Sequence, residues 1–304
     1  MKEKLIVILG PTAVGKTRFA VKLANKFNGE IISADSRQVY KRMNIGTGKD
    51  LDDYKIDDRE IPYHLIDIIE PTEEFDLFHF QKLFKDAFKK IASQKRIPLL
   101  VGGTALYIHS ILKNYQMLDV DFNSSRRKEL EILPIEELRS LVKEKRTIAH
   151  NTTDLIEKER IIKAILISEQ KNSVTKNDHL KLMNFVIGLK DDREMIKKNI
   201  TKRLKERLEN GMIEEVEKLI KSGISYEKLD FFGLEYKFIG RHIKGELNYN
   251  DMFQKLNSSI HKFAKRQMTW FRKMEREGID IHWIDKDNED EIYPMVEEFL
   301  RADH

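Results

Sequence analysis

The sequence predicts an α/β fold in which a parallel sheet carries helices on its faces and a helical insertion divides the chain. Residues 1–112 alternate short apolar runs with segments of helical periodicity, which is typical of a parallel sheet with crossover helices. Residues 113–187 are instead charged segments of helical character without strand signals. We therefore expect residues 1–112 and 188–304 to form the core and residues 113–187 to form a helical insertion domain.

A glycine-rich loop directly follows the first predicted strand, Leu5–Leu9. It matches the phosphate-loop pattern G-x-x-x-x-G-K-[ST], and an apolar helix is predicted over residues 19–27. The loop consists of Gly10, Pro11, Thr12, Ala13, Val14, Gly15, Lys16 and Thr17. Backbone N–H groups at such a helix start, the helix dipole and the Lys16 charge all favour an anion. The loop predicts a P-loop NTPase-like core that binds phosphate or diphosphate, but kinases, NTPases and some group transferases share it.

Two further predicted strands end in polar side chains. Asp35 follows the strand over 30–34, and Thr104 follows the strand over 97–101 after two glycines that permit close approach of a ligand or simply form a tight turn. In open α/β sheets, ligands lie outside the carboxyl ends of the strands. We therefore expect Asp35 beside the phosphate loop. Another strand is predicted over 63–68.

Apolar spacing predicts several long helices. One extends from its N-cap Asp76 to Ile91 with an aromatic core face, and another begins at Asp191 with a capping box to Glu194. A third covers 261–273 and places Phe263, Gln267, Trp270 and Met274 on one side. Its other face is basic and consists of Lys262, Lys265, Arg266, Thr269, Arg272, Lys273 and Arg276. Such a face contacts a nucleic-acid backbone or is merely solvated, and the pattern leaves both interpretations open.

Composition excludes several classes of protein. The chain has 304 residues and no cysteine, so its core needs no cross-links, and disulfide frameworks, thiolate nucleophiles and cysteine-ligated metal sites are excluded. The net charge of +4 says little about partners. No secretory signal and no apolar stretch of about 18 residues is present, which argues against secretion and against a membrane span. We expect a cytoplasmic protein and, because no self-complementary surface is evident, a monomer.

Seven motifs occur in order along the chain. They are GPTAVGKT at 10–17, DSRQVY at 35–40, NIGTGKD at 44–50, YHLIDI at 63–68, VGGTALYI at 101–108, RLKERLENGMIEEV at 203–216 and KRQMTWFRK at 265–273. Together they resemble the tRNA dimethylallyltransferases, also called tRNA isopentenyltransferases. The resemblance covers nearly the whole chain and is weakest in the insertion. It implies transfer of a dimethylallyl group from dimethylallyl diphosphate to N6 of adenine 37 in tRNA, release of diphosphate, and an insertion that clasps the anticodon stem-loop.

The resemblance also implies roles for individual residues. Asp35 would accept the proton of the adenine amine, the alternative being that it holds the metal ion or only orients a bound group. The charge that develops on diphosphate would be stabilised by the loop, by Lys16 and Arg203, and by a Mg²⁺ ion bound near Thr17. Contact with tRNA is implied for Asp35, Ser36, Arg37, Gln38, Thr104, Arg126, Glu159, Arg160, Ile161, Ile162, Lys163, Lys265, Arg266, Gln267, Trp270 and Arg272.

The sequence departs from the family pattern in three places. Glu235 stands where the family usually has glycine, and Lys163 replaces a common arginine, which keeps the charge but loses the planar fork. GTGKD replaces the commoner GTAKP, so that Gly48 and Asp50 take the places of alanine and proline. We expect these departures to affect tRNA preference, because none of them touches the phosphate loop or Asp35.

Three other functions share part of this pattern. Prenyl transfer to free adenine nucleotides would need no clasp, so the insertion and the basic helix argue against it. A small-molecule kinase that uses ATP would carry an arginine-rich lid after the third strand, and none is evident. An RNA-binding protein with a relic loop is disfavoured because Lys16, Thr17 and Asp35 are intact.

Overall fold

The computed structural model of this chain describes residues 3–56, 59–115, 125–144, 158–169 and 180–302. The chain divides into two compact units. The core unit contains the chain up to Lys113 and again from Leu180, and the insertion unit spans Asn114–His179. No helix in the described part of the chain is long and apolar enough to cross a membrane.

The core unit contains a six-stranded sheet and a separate two-stranded sheet. The strands are β1 (Glu3–Leu9), β2 (Gly29–Ser33), β3 (Lys55–Ile56), β4 (Arg59–Glu60), β5 (Tyr63–His64), β6 (Ile97–Gly102), β7 (Leu182–Lys190) and β8 (His282–Asp285). The large sheet has the order β5-β2-β6-β1-β7-β8 with every neighbouring pair parallel, whereas β3 and β4 pair antiparallel. The predicted parallel α/β core is confirmed.

The central strand β1 is buried on both faces. Because successive side chains of a strand point to opposite sides, Leu5, Val7 and Leu9 pack into one hydrophobic core while Ile6 and Ile8 pack into the other. Burial on both faces explains why this strand is a continuous apolar run and does not alternate with polar residues.

The carboxyl ends of β1, β6 and β2 meet at one edge of the sheet. Leu9 pairs with Gly102, and Val101 pairs with Ser33. The loop that follows β1 and the segment that follows β2 therefore leave the sheet at the same edge, where a ligand is expected.

Helices cover the sheet and form the insertion. They are α1 (Lys16–Phe27), α2 (Leu77–Ser93), α3 (Ala105–Leu112), α4 (Ser125–Ile132), α5 (Ile135–Glu144), α6 (Lys158–Glu169), α7 (Arg193–Glu209), α8 (Met212–Lys221), α9 (Tyr226–Phe232), α10 (Leu234–Ile243), α11 (Tyr249–Arg276) and α12 (Tyr293–Arg301). The N-cap of α2 is Asp76, as predicted, since its carboxylate accepts a hydrogen bond from the His79 N–H at 3.0 Å. Phe80, Phe84 and Phe88 of this helix are buried, which confirms their core assignment.

The insertion unit has a hydrophobic core of its own. Helices α4, α5 and α6 carry apolar side chains at helical spacing, and these side chains pack together. The buried members are Leu130, Leu138, Val142, Ile161, Ile162, Ile165 and Leu166.

The boundary between insertion and core needs correction. The sequence prediction placed residues 182–187 in the insertion, but they form most of β7, which pairs with β1 on one side and β8 on the other. Residues 185–189 of this strand are buried on both faces and lack the alternation of apolar and polar side chains, so the sequence does not distinguish a strand from a buried helix. The strand β8 was not predicted because it contributes only four residues, of which Ile284 alone is buried.

Two other elements begin or end at a different residue from the one that the sequence predicted. The strand predicted over 63–68 ends at His64, because Leu65 and Asp67 adopt left-handed conformations with φ of 64° and 54°. Helix α7 is capped by Asp192 and not by Asp191, since the Asp192 carboxylate accepts hydrogen bonds from the first backbone N–H groups of the helix.

Candidate active site

The loop from Gly10 to Thr17 links β1 to α1 and has the backbone of a phosphate-binding turn. Gly10 (φ 155°) and Gly15 (φ 98°) adopt conformations that other residues rarely reach, and a Cβ at Gly10 would lie 2.6 Å from the Leu189 carbonyl oxygen. Helix α1 begins at Lys16 without a side-chain cap. Its first N–H groups therefore have no side-chain acceptor at the cap, and they are free to donate hydrogen bonds to a bound anion.

The Lys16 ammonium group lies over this loop and donates a hydrogen bond to the Pro11 carbonyl at 2.8 Å. Burial and the positive charge of Arg203 lower the pKa of Lys16 to about 8, while the Asp35 carboxylate opposes this effect. Arg203 lines a cavity with Thr12 and Ala13 of the loop, and the Lys16 Nζ lies 3.8 Å from a Cβ built on Gly103, whose neighbour Thr104 binds the segment that contains Asp35. Thr17, the fourth residue implied in catalysis, follows Lys16 on α1.

Asp35 is held in place by a turn at the end of β2. Its Oδ1 accepts a hydrogen bond from the Arg37 N–H at 2.8 Å. Thr104, after β6, binds the same segment twice. Its hydroxyl accepts from the Ser36 N–H at 3.1 Å, and its own N–H donates to the Ala34 carbonyl at 3.2 Å. These bonds fix the position of the Asp35 carboxylate before any substrate arrives.

Gly102 and Gln38 hold the segments at this edge of the sheet close together. A Cβ at Gly102 would collide with the Ala34 carbonyl, so glycine is needed for the two strand ends to come this close. The Gln38 side chain accepts a hydrogen bond from the Ser33 hydroxyl at 3.0 Å and donates one to the Gly48 carbonyl at 3.1 Å. The expected tRNA contacts after β2 thus lie in the site, although Gln38 itself is engaged within the protein.

Gln267 of α11 joins this edge to the phosphate loop. Its side chain is 6% exposed, its Oε1 accepts a hydrogen bond from the Thr12 N–H at 2.8 Å, and its Nε2 donates to the Gly103 carbonyl at 2.9 Å. Both ends of its amide are used inside the protein, and the tRNA contact implied for Gln267 stays a prediction. Helical spacing placed Gln267 on the less basic side of α11, but its partners are 255 and 164 residues away and no local pattern reports them.

Two arginines of α7 lie across a small cavity from the phosphate loop. Arg203 and Arg207 each donate from Nη2 to the same oxygen, Oδ2 of Asp50, at 3.2 and 3.4 Å. Burial and the Arg207 charge lower the pKa of Arg203 to about 10. The cavity is lined by Thr12, Ala13, Ile200, Arg203, Leu204, Arg207, Glu235 and Ile260. It combines positive charge beside the loop with an aliphatic wall, which suits a diphosphate joined to a short apolar chain.

Glu235 lines the cavity together with Thr12 of the phosphate loop. It was expected near the RNA contacts, and its Oε2 and the Nε of Arg37, one of those predicted contacts, lie 3.9 and 4.0 Å from a Cβ built on Gly233. Burial raises the pKa of Glu235, against the opposing charges of Arg207 and Arg203. The sequence marked Glu235 and Asp50 only as departures from a pattern and assigned Arg207 no role, so this cluster was missed.

The basic face of α11 is accessible. Lys265, Arg266 and Arg272 are exposed, and Trp270 is half-buried with its ring 6.0 Å from that of His109. Phe263 was placed on the opposite side by helical spacing, but it is 39% exposed and lies below the Arg266 guanidinium at 5.9 Å. Contact between this face and tRNA stays a prediction.

Two of the tRNA contacts implied for the insertion are wrong for the side chains concerned. Ile161 and Ile162 are 0% and 3% exposed in the hydrophobic core of the insertion. Their burial follows from their spacing to Ile165 and Leu166 on the same helix, a pattern visible in the sequence. These residues stabilise the insertion, and tRNA contact by their exposed neighbours stays a prediction.

The charged residues implied in tRNA contact form ion pairs within the insertion. Arg126 pairs with Glu169 at 3.1 Å, and Lys163 pairs with Glu159 at 3.3 Å. The Arg160 side chain lies outside the described residues. Because the Glu159 carboxylate is 61% exposed, its pair with Lys163 is weak and readily exchanged for a phosphate.

The described residues fit a magnesium ion only if phosphate oxygens supply some of its ligands. Among them, no three His, Cys, Asp or Glu side chains are grouped closely enough to hold a metal ion. Mg²⁺ commonly takes one or two protein oxygens together with phosphate oxygens and water. The Thr17 hydroxyl is a suitable oxygen at the start of α1, and it makes no hydrogen bond to another residue in the described ranges.

Comparison with known proteins decides the family. The family model described as IPP transferase matches residues 38–274, and one described as Isopentenyl transferase matches residues 3–61. The chain belongs to the IPP transferase family. It is 50% identical over 289 residues to a tRNA dimethylallyltransferase of Geotalea uraniireducens, covering 95% of both chains. It is 46% identical over 305 residues to one of Syntrophus aciditrophicus, covering 99% of this chain and 100% of that relative.

A solved structure agrees with this IPP transferase assignment. The full-length tRNA isopentenylpyrophosphate transferase of Bacillus halodurans superimposes with a TM-score of 0.70 at 31% identity, covering 98% of this chain and 97% of that chain. The resemblance drawn from the seven sequence motifs is thereby confirmed, as is the P-loop NTPase-like core.

Proposed function

We propose that this IPP transferase transfers a dimethylallyl group from dimethylallyl diphosphate to N6 of adenine 37 in tRNA and releases diphosphate. The observation that carries the proposal is that the phosphate loop, Arg203 and an aliphatic wall line one cavity, at the sheet edge where the strand before Asp35 also ends. The positive groups suit diphosphate, the wall suits a five-carbon chain, and the carboxylate suits an amine that must lose a proton. The names of the relatives, which are tRNA dimethylallyltransferases, support the same reaction.

The bond changes assign a task to Asp35. A bond forms between N6 of adenine and C1 of the dimethylallyl group while the bond from C1 to the diphosphate oxygen breaks. The electrons of the broken bond leave with diphosphate, and the amine proton passes to Asp35. An exocyclic adenine amine is a weak nucleophile because its lone pair is delocalised into the ring, so a base that accepts the proton lowers the barrier. The Arg37 N–H keeps this carboxylate oriented.

Stabilisation of the leaving group is the larger part of catalysis. The loop N–H groups, Lys16 and Arg203 are fixed before the reaction, so they stabilise the charge that develops on diphosphate without reorganising. Mg²⁺ bound at Thr17 would supply Lewis-acid stabilisation of the same charge. The aliphatic wall, which includes Ile200 and Leu204, keeps water from the allylic carbon and so limits hydrolysis.

The partner on the other side of the reaction is the anticodon stem-loop. Adenine 37 must leave its stack to reach Asp35, and basic side chains must hold the flanking phosphates. The exposed residues Lys265, Arg266 and Arg272 of α11 are suited to that task, and we assign the insertion the role of clasping the stem-loop. We further propose that the protein acts as a monomer in the cytoplasm.

One experiment separates this function from its competitors. The protein is incubated with Mg²⁺, with either labelled dimethylallyl diphosphate or ATP labelled in the γ-phosphate, and with either unmodified tRNA or AMP. Label in tRNA from the prenyl donor alone, absent when adenine 37 is replaced by guanine, supports the proposal. Prenyl label in AMP but not in tRNA, or phosphate transfer from ATP, would overturn it.

A further inference from the structure

Three residues at which the sequence departs from the family pattern lie around one pair of arginines. Gly48 and Asp50 belong to the segment before β3, and Glu235 belongs to α10, yet all three face Arg203 and Arg207. Their shared position means that they alter the surroundings of the cationic pair that faces the phosphate loop. An explanation of these departures must therefore involve the anion that this pair binds.

Gly48 makes room for the two guanidinium groups. A Cβ at this position would collide with Nη2 of both Arg203 and Arg207. The backbone of Gly48 is also left-handed, with φ of 64°, which glycine adopts without strain. An alanine here would push both guanidinium groups from their present positions.

Asp50 contributes one carboxylate oxygen to both arginines. The distances to its Oδ2 are 3.2 Å from Arg203 and 3.4 Å from Arg207. Its φ of 34° is outside the range that a proline ring permits. The Asp50 side chain is 49% exposed, so water screens these ion pairs and they contribute little to stability. A ligand with more negative charge is able to replace this carboxylate.

The arginine pair requires a nearby anion both in the free protein and when a ligand is bound. The side chains of Arg203 and Arg207 are only 33% and 14% exposed, and two guanidinium groups that share one acceptor atom repel each other. Partly buried like charges are costly unless a negative charge lies between them. Asp50 supplies that charge when no ligand is bound, and the cavity that the arginines share with Thr12 is where a diphosphate would supply it.

We propose that Asp50 is an intramolecular place-holder for diphosphate. Its carboxylate neutralises Arg203 and Arg207 in the free protein, and the diphosphate of the substrate displaces it, so that Arg207 joins Arg203 as a second ligand of the leaving group. This inference rests on the proposed function of the cavity as the diphosphate site. Asp50 is then a positioning residue that competes with the ligand, and it weakens the binding of donor and of product diphosphate alike.

The test compares Asp50→Asn with a matched variant, Asp52→Asn. Asparagine has nearly the same size as aspartate and tolerates a left-handed backbone, so Asp50→Asn removes the charge and little else. Asp52 lies two residues further on, where its 95% exposed carboxylate pairs with Lys55 at 2.8 Å. Its substitution makes the same change in net charge away from the arginines. The measured quantity is the Kd of inorganic diphosphate in the presence of Mg²⁺, by titration calorimetry on the full chain.

We expect Asp50→Asn to bind diphosphate roughly tenfold more tightly, because one screened charge that competes for two cations is removed. Asp52→Asn should bind like the wild type, and adding Arg207→Ala to Asp50→Asn should abolish the gain. Damage to the site would weaken binding, so tighter binding is not a sign of misfolding. Equal or weaker binding by Asp50→Asn overturns the place-holder and leaves the diphosphate site standing. A wild type that binds no diphosphate overturns the proposed function of the cavity, and this inference with it.

Discussion

Gln267 and Thr12 are joined by a hydrogen bond of 2.8 Å from the Thr12 N–H to the Gln267 side-chain oxygen. The nitrogen of the same amide donates to the Gly103 carbonyl at 2.9 Å. One buried side chain of α11 therefore sets the distance between the phosphate loop and the turn after β6. The helix that carries the basic face is in this way connected through hydrogen bonds to the proposed diphosphate site.

Removing this side chain should loosen the loop. Gln267→Ala leaves the Thr12 N–H and the Gly103 carbonyl without their partner, a loss of about 1–3 kcal/mol for each group left unpaired. We expect the KM for dimethylallyl diphosphate to rise about tenfold, since the loop N–H groups are no longer held in position. Steady-state kinetics and thermal unfolding measure the two effects.

Gln81 provides the control for Gln267. It is equally buried, at 6% exposure, but its amide contacts the Ser110 carbonyl in the core, away from the loop. Gln81→Ala should lower the unfolding temperature without changing this KM. If both variants raise the KM equally, Gln267 acts through overall stability alone.

The sequence could predict those parts of the site that follow from a local motif and from the rule that ligands lie at the carboxyl ends of parallel strands. A phosphate loop has a defined backbone, and Asp35 directly follows a strand, so both could be placed at the same sheet edge in advance. The contacts of Asp50 with Arg203 and Arg207 join residues 153 and 157 positions apart, and they depend on how α7 packs beside the loop. No periodicity or motif carries that information.

The limits on the predicted fold have a similar cause. Residues 182–187 of β7 were assigned to the insertion because a buried stretch of strand shows the same apolar run as a buried helix. Ile161 and Ile162 were implied in tRNA contact because a resemblance transfers positions along the chain without telling which face of a helix they occupy. Their spacing to Ile165 and Leu166 is a physical signal for burial, and it proved more informative there.

Lys16 should give diphosphate binding a measurable pH dependence. The pKa of Lys16 in the free protein is lowered to about 8, so the side chain is charged below that pH and neutral above it. Diphosphate favours the charged form, and a free protein that has lost the proton must regain it to bind. We expect the Kd to vary little below about pH 8 and to rise by up to about tenfold per pH unit above it.

The variant Lys16→Arg separates this effect from ionisation of the ligand. Arginine keeps its charge throughout this range, so the rise in Kd above about pH 8 should disappear even if overall affinity falls. Titration calorimetry at several pH values gives both profiles. The same rise in both proteins would assign the pH dependence to the ligand.

Asp35→Asn should separate binding from chemistry. The amide oxygen of asparagine still accepts the Arg37 N–H, so the turn after β2 is retained, but the side chain no longer accepts the amine proton. We expect tRNA affinity close to that of the wild type and a rate of prenyl transfer lowered by about 10²–10⁴-fold, the usual size of a general-base effect. Filter binding and single-turnover assays give the two values. Asp53→Asn, which removes an ion pair with exposed Arg18, is the control for net charge. Undiminished turnover in Asp35→Asn would remove Asp35 from the base role.

The basic face of α11 should show itself in the salt dependence of tRNA binding. Lys265, Arg266 and Arg272 are exposed along one helix, and each cation that neutralises a phosphate releases a counterion on binding. Substituting one of them with alanine should weaken tRNA binding and reduce the slope of log affinity against log salt by about 1. Lys255→Ala, at an exposed position earlier on the same helix, is the control and should leave the slope unchanged. A slope that falls equally in all four variants would mean that tRNA responds only to net charge, and the assignment of this face would then fail.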